Sequence, residues 1–240
     1  MNTARTLDLW RQELGTVPES VWDLTDLEVL VLADNGLTAL SPRIAGLRHL
    51  HTLDLGHNAL TEVPARLPDL SRYLYLHDNR LTELPDSLGE LSRLRYLNAG
   101  ENPLRALPAG LGGLAALVEL RCQHAELTEL PASLGALSEL RELWLRGNSL
   151  HCLPGSTAEL ANLRHLDLRE NAFPQIPAPL AALPLLRHLD LRANRITTLP
   201  SWLADLPALE KLDLRWNPLT PDPDPALLAG LAERGCIVLT

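Results

Sequence analysis

The stretch Leu186-Arg187-His188-Leu189-Asp190-Leu191-Arg192-Ala193-Asn194-Arg195-Ile196-Thr197-Thr198-Leu199-Pro200 decides the fold. Leu189 and Leu191 stand two apart, so they share one face of a short strand, while His188, Asp190 and Arg192 share the other. Asn194 ends the strand, because its amide both donates and accepts and can bond the backbone of a turn and of a neighbouring segment. Ile196 and Leu199 turn back into the interior. Pro200 opens a return segment with Leu203 and Leu206 pointing inward, expected as a mixture of 3₁₀ and extended turns. The same phrase, L-x-x-L-x-L-x-x-N-x-L-x-x-L-P, occurs ten times. Its asparagine falls at Asn35, Asn58, Asn79, Asn102, Asn148, Asn171, Asn194 and Asn217, with Gln12 and Ala125 in the other two copies. The step is 23 residues everywhere except Asn58 to Asn79, where it is 21. A fixed period in this range is the mark of a solenoid, in which no unit buries its own apolar side. The strands are expected to stack in parallel about 4.8 Å apart as a concave sheet, with the return segments on the convex side.

Composition agrees. Leucine fills 60 of the 240 positions, so a chain that is 21% charged is still 46% hydrophobic. The leucines are interleaved with charges, and no apolar run approaches the roughly 20 residues of a membrane span. The opening Met1-Asn2-Thr3-Ala4-Arg5-Thr6 has no apolar core, so no cleaved secretion signal is expected. Cys122, Cys152 and Cys236 are odd in number and lack C-x-x-C spacing, which points away from disulfides and zinc and toward a reducing cytoplasm. Arginine outnumbers lysine 20 to 1, with much alanine and proline, the bias of a GC-rich, bacterial genome.

The phrase, its 23-residue length and the L-P-x-x-L-x-x-L return resemble the leucine-rich repeat family, nearest the short type of intracellular Ras-binding and scaffold proteins and of many bacterial proteins. The resemblance implies an α/β solenoid, a horseshoe of about ten repeats with a parallel concave sheet and a 3₁₀- and turn-rich convex side. It also implies a module that presents its concave face to a protein, such as a small GTPase, a kinase or a phosphatase.

Residues 1–217 are read as the solenoid and 218–240 as a C-terminal cap. In the cap, Pro218, Pro221, Pro223 and Pro225 break the pattern before a short helix (225–234) and a last strand (236–239). No comparable cap precedes Leu7 and Leu9, so the first strand is a fraying edge or a place where something else pairs, and the chain is expected to be a monomer or a weak end-to-end dimer. Three departures stand out. Ala125 interrupts the asparagine row beside Cys122, a soft spot. Leu40-Ser41-Pro42 carries its proline one place late. In the 21-residue step, Leu70-Ser71-Arg72-Tyr73-Leu74 lacks a Leu-Arg pair, and Ser71 falls where the first strand leucine belongs. That step is either a harmless short repeat or a bulge that re-aims Tyr73 and Tyr75.

Counting back from each asparagine gives five outward positions per repeat. They hold all three tyrosines, with Trp10, Trp144 and Trp216, six of the nine aromatics. Aromatic residues and arginine most often carry interface energy. The run Tyr73, Tyr75, Tyr96, Arg121, Trp144 and Arg146 is therefore the expected partner-binding centre. The same positions hold thirteen basic and thirteen acidic residues, so the face is neutral and the net charge of −9 lies elsewhere, which speaks against nucleic acid. An arginine column (Arg146, Arg169, Arg192, Arg215) stands beside an aspartate column (Asp167, Asp190, Asp213). It is either mutual solvation of a stacked sheet or a docking strip for an acidic or phosphorylated segment, and Arg169 and Arg192 are counted with Arg146 among the expected partner-binding residues.

No catalytic signature appears. Lys211 is the only lysine, which excludes G-x-x-x-x-G-K-[ST] and a lysine-dependent kinase core, and H-E-x-x-H and G-x-S-x-G are absent. The expectation is a non-catalytic, cytoplasmic protein-interaction module or scaffold in intracellular signalling, with no cofactor, catalytic residue or resident metal. Two alternatives are a bacterial effector acting on a host protein and a metal-dependent enzyme using His165, His188, Asp167 and Asp190.

Overall fold

The computed structural model describes residues 5–220 and 224–240. Residues 1–4, read above for a secretion signal, and Pro221 and Pro223 lie outside the described residues. Eleven three-residue strands run parallel in one sheet in strict chain order among the described residues. They are β1 (Thr6–Asp8), β2 (Val29–Val31), β3 (Thr52–Asp54), β4 (Tyr73–Tyr75), β5 (Tyr96–Asn98) and β6 (Glu119–Arg121). The series continues with β7 (Glu142–Trp144), β8 (His165–Asp167), β9 (His188–Asp190), β10 (Lys211–Asp213) and β11 (Ile237–Leu239). The central residue of each strand faces the core and pairs with its counterpart, Leu30 with Leu53 and Leu166 with Leu189, so every repeat is in register. The leucines two places on, from Leu32 to Leu214, are buried beside them, with Ala99 and Cys122 filling two of the slots.

After each of β1 to β10 the residue before the asparagine position turns left-handed, at φ from 51° to 69°, whether it is Arg11, Asp78, Gly147 or Trp216. A non-glycine residue there costs roughly 1–2 kcal/mol, and the asparagine offsets it. Asn102 shows how. Its Nδ2 donates to Leu76 O at 2.9 Å, Gly100 O at 3.0 Å and Ala99 O at 3.2 Å, and its Oδ1 accepts from Leu81 N at 3.0 Å. One side chain thereby closes its own turn and holds the preceding repeat. At Ala125 the amide is missing, and Leu104 N donates to Asn102 O instead, at 2.8 Å. Asn148 still holds that repeat from the other side, accepting from Ala125 N and Leu127 N and donating to Cys122 O.

The convex side is built of five-residue 3₁₀ helices, each started by a proline in extended conformation or by Ser41 and ended by a leucine, which is buried in all but the first, Leu24. They are Glu19–Asp23, Pro42–Gly46, Asp86–Glu90, Ala109–Gly113, Ala132–Ala136, Gly155–Glu159, Ala178–Ala182 and Ser201–Asp205. The late proline at 42 is explained here. Ser41 takes the cap, its Oγ accepting from Arg43 N at 3.3 Å, and Pro42 occupies the first helical position, where its missing N–H costs nothing.

Of the two readings of the 21-residue step, the structure overturns the bulge and shows a short repeat. β3 and β4 remain in register, Thr52 with Tyr73 and Asp54 with Tyr75, and no bulge re-aims the tyrosines. The two residues are lost from the convex side, where no 3₁₀ helix forms between Pro42–Gly46 and Asp86–Glu90, and Leu70 is fully buried. The physical reason is that each strand is bonded on both edges, whereas a convex turn is bonded mainly to itself. Ser87 Oγ bridges the shortened segment by donating to Ala65 O at 2.6 Å.

At the C-terminal end, α1 (Pro225–Glu233) is capped by Asp224, whose Oδ1 accepts from Ala226 N at 2.9 Å. It stops one residue short of the expected end, and β11 starts one residue later than expected. Leu231 is fully buried, Arg234 Nη1 donates to Leu206 O at 3.1 Å, and β11 continues the sheet beyond β10.

Candidate protein-interaction face

The outward residues of the short strands stand in columns across neighbouring repeats, so side chains far apart in sequence touch. Tyr73 and Tyr75 leave β4 on the same face, two apart, with ring centroids 6.2 Å apart. Tyr96 of β5 packs against both, at 5.8 Å and 5.0 Å. The three rings form one cluster, Tyr73 exposed and the other two half-buried. Burial pushes the Tyr96 phenol up to about 12 and raises that of Tyr75, so both hydroxyls stay protonated near neutral pH and are available as donors.

The next strand continues the run. Arg121 is held by Glu119 at 2.5 Å and lies over the Trp144 ring, 4.8 Å from its centroid. Trp144 Nε1 donates to Glu142 at 3.2 Å, and the ring stacks on His165 at 4.2 Å. Burial lowers the basicity of His165. The expected centre thus consists of two packed groups on adjacent strands, the three tyrosines and the Arg121–Trp144 pair, and His165 joins the second, a contact that its place on the neighbouring strand could have suggested. Trp10 and Trp216 do not join. They stand 54% and 72% exposed at opposite ends, beside Arg11 and beside Arg192 and Arg215 respectively.

The arginine column serves the sheet itself. Arg169 Nη2 donates to Asp167 at 2.7 Å and Arg192 Nη2 to Asp190 at 2.7 Å, each within its own repeat. The Nε atoms also reach across to the next strand, 3.4 Å from Asp190 and Asp213 respectively. Arg146 pairs instead with Glu170, at 2.8 Å. Arg169 and Arg192 are therefore committed to an internal ladder, whose aspartates at 167 and 213 are almost wholly covered. Burial alone would raise the Asp213 carboxyl, but bonds from Arg215 hold it below the ordinary range.

His165 and His188 sit edge to face at 5.7 Å, while the neighbouring carboxylates face arginine. Among the described residues no three His, Cys, Asp or Glu side chains converge on one point. A histidine pair that sequence reasoning passed over lies at the turn edge of the face. His57 Nδ1 is 2.7 Å from Asp78, and its Nε2 is 3.2 Å from His77 Nε2. Gly56 permits this, because a Cβ there would strike the His77 ring.

At the other edge, where the strands begin, Arg72, Tyr73, Arg95, Tyr96, Val118 and Glu119 line an open depression of about 480 Å³. All three cysteines are unpaired, Cys122 and Cys236 buried and Cys152 exposed. Burial pushes the Cys122 thiol up to about 12, which leaves it inert. Among the described residues no helix is long and apolar enough to cross a membrane.

Comparison with known proteins gives a consistent result. A leucine rich repeat model matches residues 2–60 and 177–219, and a second leucine rich repeat model matches 72–91. Fibromodulin of Sus scrofa is 36% identical over 76 residues, 31% of this chain and 52% of that protein, so the match spans about half the length of the curated relative. Among solved structures, an internalin (inlF) of Listeria monocytogenes superposes with a TM-score of 0.80 at 25% identity, covering 98% of this chain and 66% of that one. The plant peptide hormone receptor RGFR1, solved in complex with RGF2, gives 0.76 at 26% identity, covering 92% of this chain and 41% of the receptor chain.

Proposed function

The chain belongs to the leucine-rich repeat family, and from that premise we propose that it is a non-catalytic interaction module that takes a protein partner on its concave face. Interaction with protein or peptide partners is what this fold commonly supports, and RGFR1 is itself solved with RGF2 bound.

One observation carries the proposal. Six large side chains line five adjacent strands in two packed groups, Tyr73, Tyr75 and Tyr96 on β4 and β5 and Arg121, Trp144 and His165 on β6 to β8. Such groups offer large rigid area with a polar handle, which is the composition of an interface centre. Arg146, Arg169 and Arg192 border that centre and fix its shape through their pairs with Glu170, Asp167 and Asp190.

The proposal extends to a scaffold in intracellular signalling, in a reducing compartment, supported by three unpaired cysteines of which one is exposed. Residues 218–240 act as the cap of the solenoid, supported by the buried Leu231 and the Arg234 bond to Leu206. β1 and β11 each leave one edge unpaired among the described residues, which favours a monomer or a weak end-to-end dimer.

The test is affinity capture from lysate with wild type beside Tyr75→Ala/Trp144→Ala, followed by quantitative mass spectrometry and circular dichroism of both proteins. A partner lost with the variant while the spectrum is retained is the expected result. Matched captures would remove the concave face from consideration.

A further inference from the structure

One residue before each of β1 to β10 runs a column in which arginine holds six of ten places, Arg5, Arg72, Arg95, Arg141, Arg164 and Arg187, with Glu28, His51, Val118 and Glu210 in the others. At its ends the guanidinium groups are paired, Arg5 with Glu28 at 2.6 Å and Arg187 with Glu210 at 2.9 Å. Between them Arg72, Arg95, Arg141 and Arg164 are exposed and make no ion pair among the described residues. Of the acidic residues in the adjoining strands, Glu119 pairs with Arg121 at 2.5 Å, and Glu142 accepts from Trp144 Nε1 at 3.2 Å and makes no ion pair with Arg141. The molecule as a whole carries a net charge of −9. Four unneutralised guanidinium groups on one rim of an acidic molecule are a local field looking for its counterpart.

We propose that this rim docks an extended acidic protein segment, with carboxylates on Arg72/Arg95 and on Arg141/Arg164 and an apolar residue between them over Val118. The inference rests on the concave-face reading and names the chemistry of the partner. It moves the acidic docking strip from Arg169 and Arg192, which face their own aspartates, to arginines that face none.

The spacing specifies the segment. The column runs Arg72, Arg95, Val118, Arg141, Arg164 over β4 to β8, so the two arginine pairs are centred three strand steps apart, about 14 Å at roughly 4.8 Å per step. An extended chain rises about 3.4 Å per residue, so two carboxylates four residues apart meet the two pairs. Residues i, i+2 and i+4 of such a chain share a face, which puts an apolar i+2 side chain above Val118. The depression beside Tyr73 and Tyr96 gives the first carboxylate and its backbone a place to lie. A short segment is favoured over a nucleic acid because the remaining surface is acidic and a long polyanion would be repelled by it.

Fluorescence anisotropy with a fluorescein-labelled peptide Gly-Glu-Ser-Val-Ser-Glu-Gly tests this. Expected are salt-sensitive binding by wild type and at least tenfold weaker binding to Arg72→Glu/Arg95→Glu and, separately, to Arg141→Glu/Arg164→Glu. Arg48→Glu/Arg66→Glu, an equal charge change on exposed convex residues, is expected to stay within twofold of wild type. A peptide with both glutamates replaced by glutamine should not bind. No binding by wild type at millimolar peptide, equal losses in all three double variants, or tighter binding of a ten-nucleotide oligo(dT) would each overturn the inference. If the rim fails while Tyr75→Ala/Trp144→Ala still loses its captured partner, only the acidic segment falls and the concave face stands.

Discussion

The carboxylate of Asp167 is about 1% exposed and lies under the guanidinium of Arg169, with Nη2 donating to Oδ2 at 2.7 Å and Nε donating at 3.0 Å. The arginine shields the aspartate from water and at the same time neutralises it, which is why an acidic residue is tolerated at a covered position of the sheet.

Removal of either partner is therefore unequal. Arg169→Ala leaves a covered carboxylate without its counter-charge and should cost about 3 kcal/mol. Asp167→Ala leaves a half-exposed arginine that water can reach, and should cost clearly less. In urea titrations the double variant should cost less than the sum of the two, since the pair acts as a unit. Additive losses would mean the two side chains do not depend on each other.

Asn102→Ala strands the Leu81 N–H, removes the side-chain donor from Ala99 O and takes one of two donors from Leu76 O, which keeps Asn79 Nδ2. Each buried group left unmatched costs about 1–3 kcal/mol, so a loss near 3 kcal/mol is expected. Asn162→Ala, where an exposed amide donates one bond to Ser138 O, should be nearly silent in the same titration.

Glycines on the convex side are set by distance. A Cβ on Gly112 would stand 2.6 Å from Ser133 O, and one on Gly110 or Gly135 would strike the backbone of Asp86 or Ser156. Gly110→Ala and Gly135→Ala should lower Tm by several degrees through forced separation of neighbouring turns. Gly155→Ala meets open space and should leave Tm within a degree or two.

His165 and His77 are both held neutral, His165 by burial and His77 by burial and then by the His57 ring. Their folded pKa values lie below the ordinary value near 6.5. As pH falls through that value the unfolded chain takes up protons that the folded chain refuses, so these groups make stability decline as pH is lowered, and the decline ends once the native rings protonate. Histidine Cε1–H resonances should titrate below 6.5 for both residues. Trp144 emission, obtained by difference from Trp144→Phe, should change over the same range because protonated His165 stacks on it. A His165 midpoint above 6.5 would contradict the burial account.

Much of this was readable from the leucine grid. The interval between asparagines sets strand register, and register sets which outward residues meet, so the contact of Tyr73 and Tyr75 with Tyr96 followed from spacing alone. Three things were not readable. The left-handed residue before each asparagine has no composition signal, because Asp34, His57, Glu101 and Trp216 all occupy it and the asparagine bonds stabilise whichever is there. The short repeat could not be aligned by its letters, since Leu70 and Ser71 compete for one slot and only the backbone ladder decides between them. Alternation along a strand places Arg169 on the surface, and Arg72 is exposed because it stands just before its strand, but neither position tells direction. One turns to an aspartate two residues back, while the other has none to turn to.

The missing convex turn at 61–70 has a mechanical consequence. From Asp86–Glu90 to Ala178–Ala182 the 3₁₀ helices lie directly against one another as a continuous spine, closely seated at the glycines. Between Pro42–Gly46 and Asp86–Glu90 that spine has a link with no helix in it, while the sheet on the other side runs through unbroken. The solenoid is thus expected to be least stiff at that link, beneath Tyr73 and Tyr75, so that a load on the tyrosines should bend it there before it bends the glycine-seated spine.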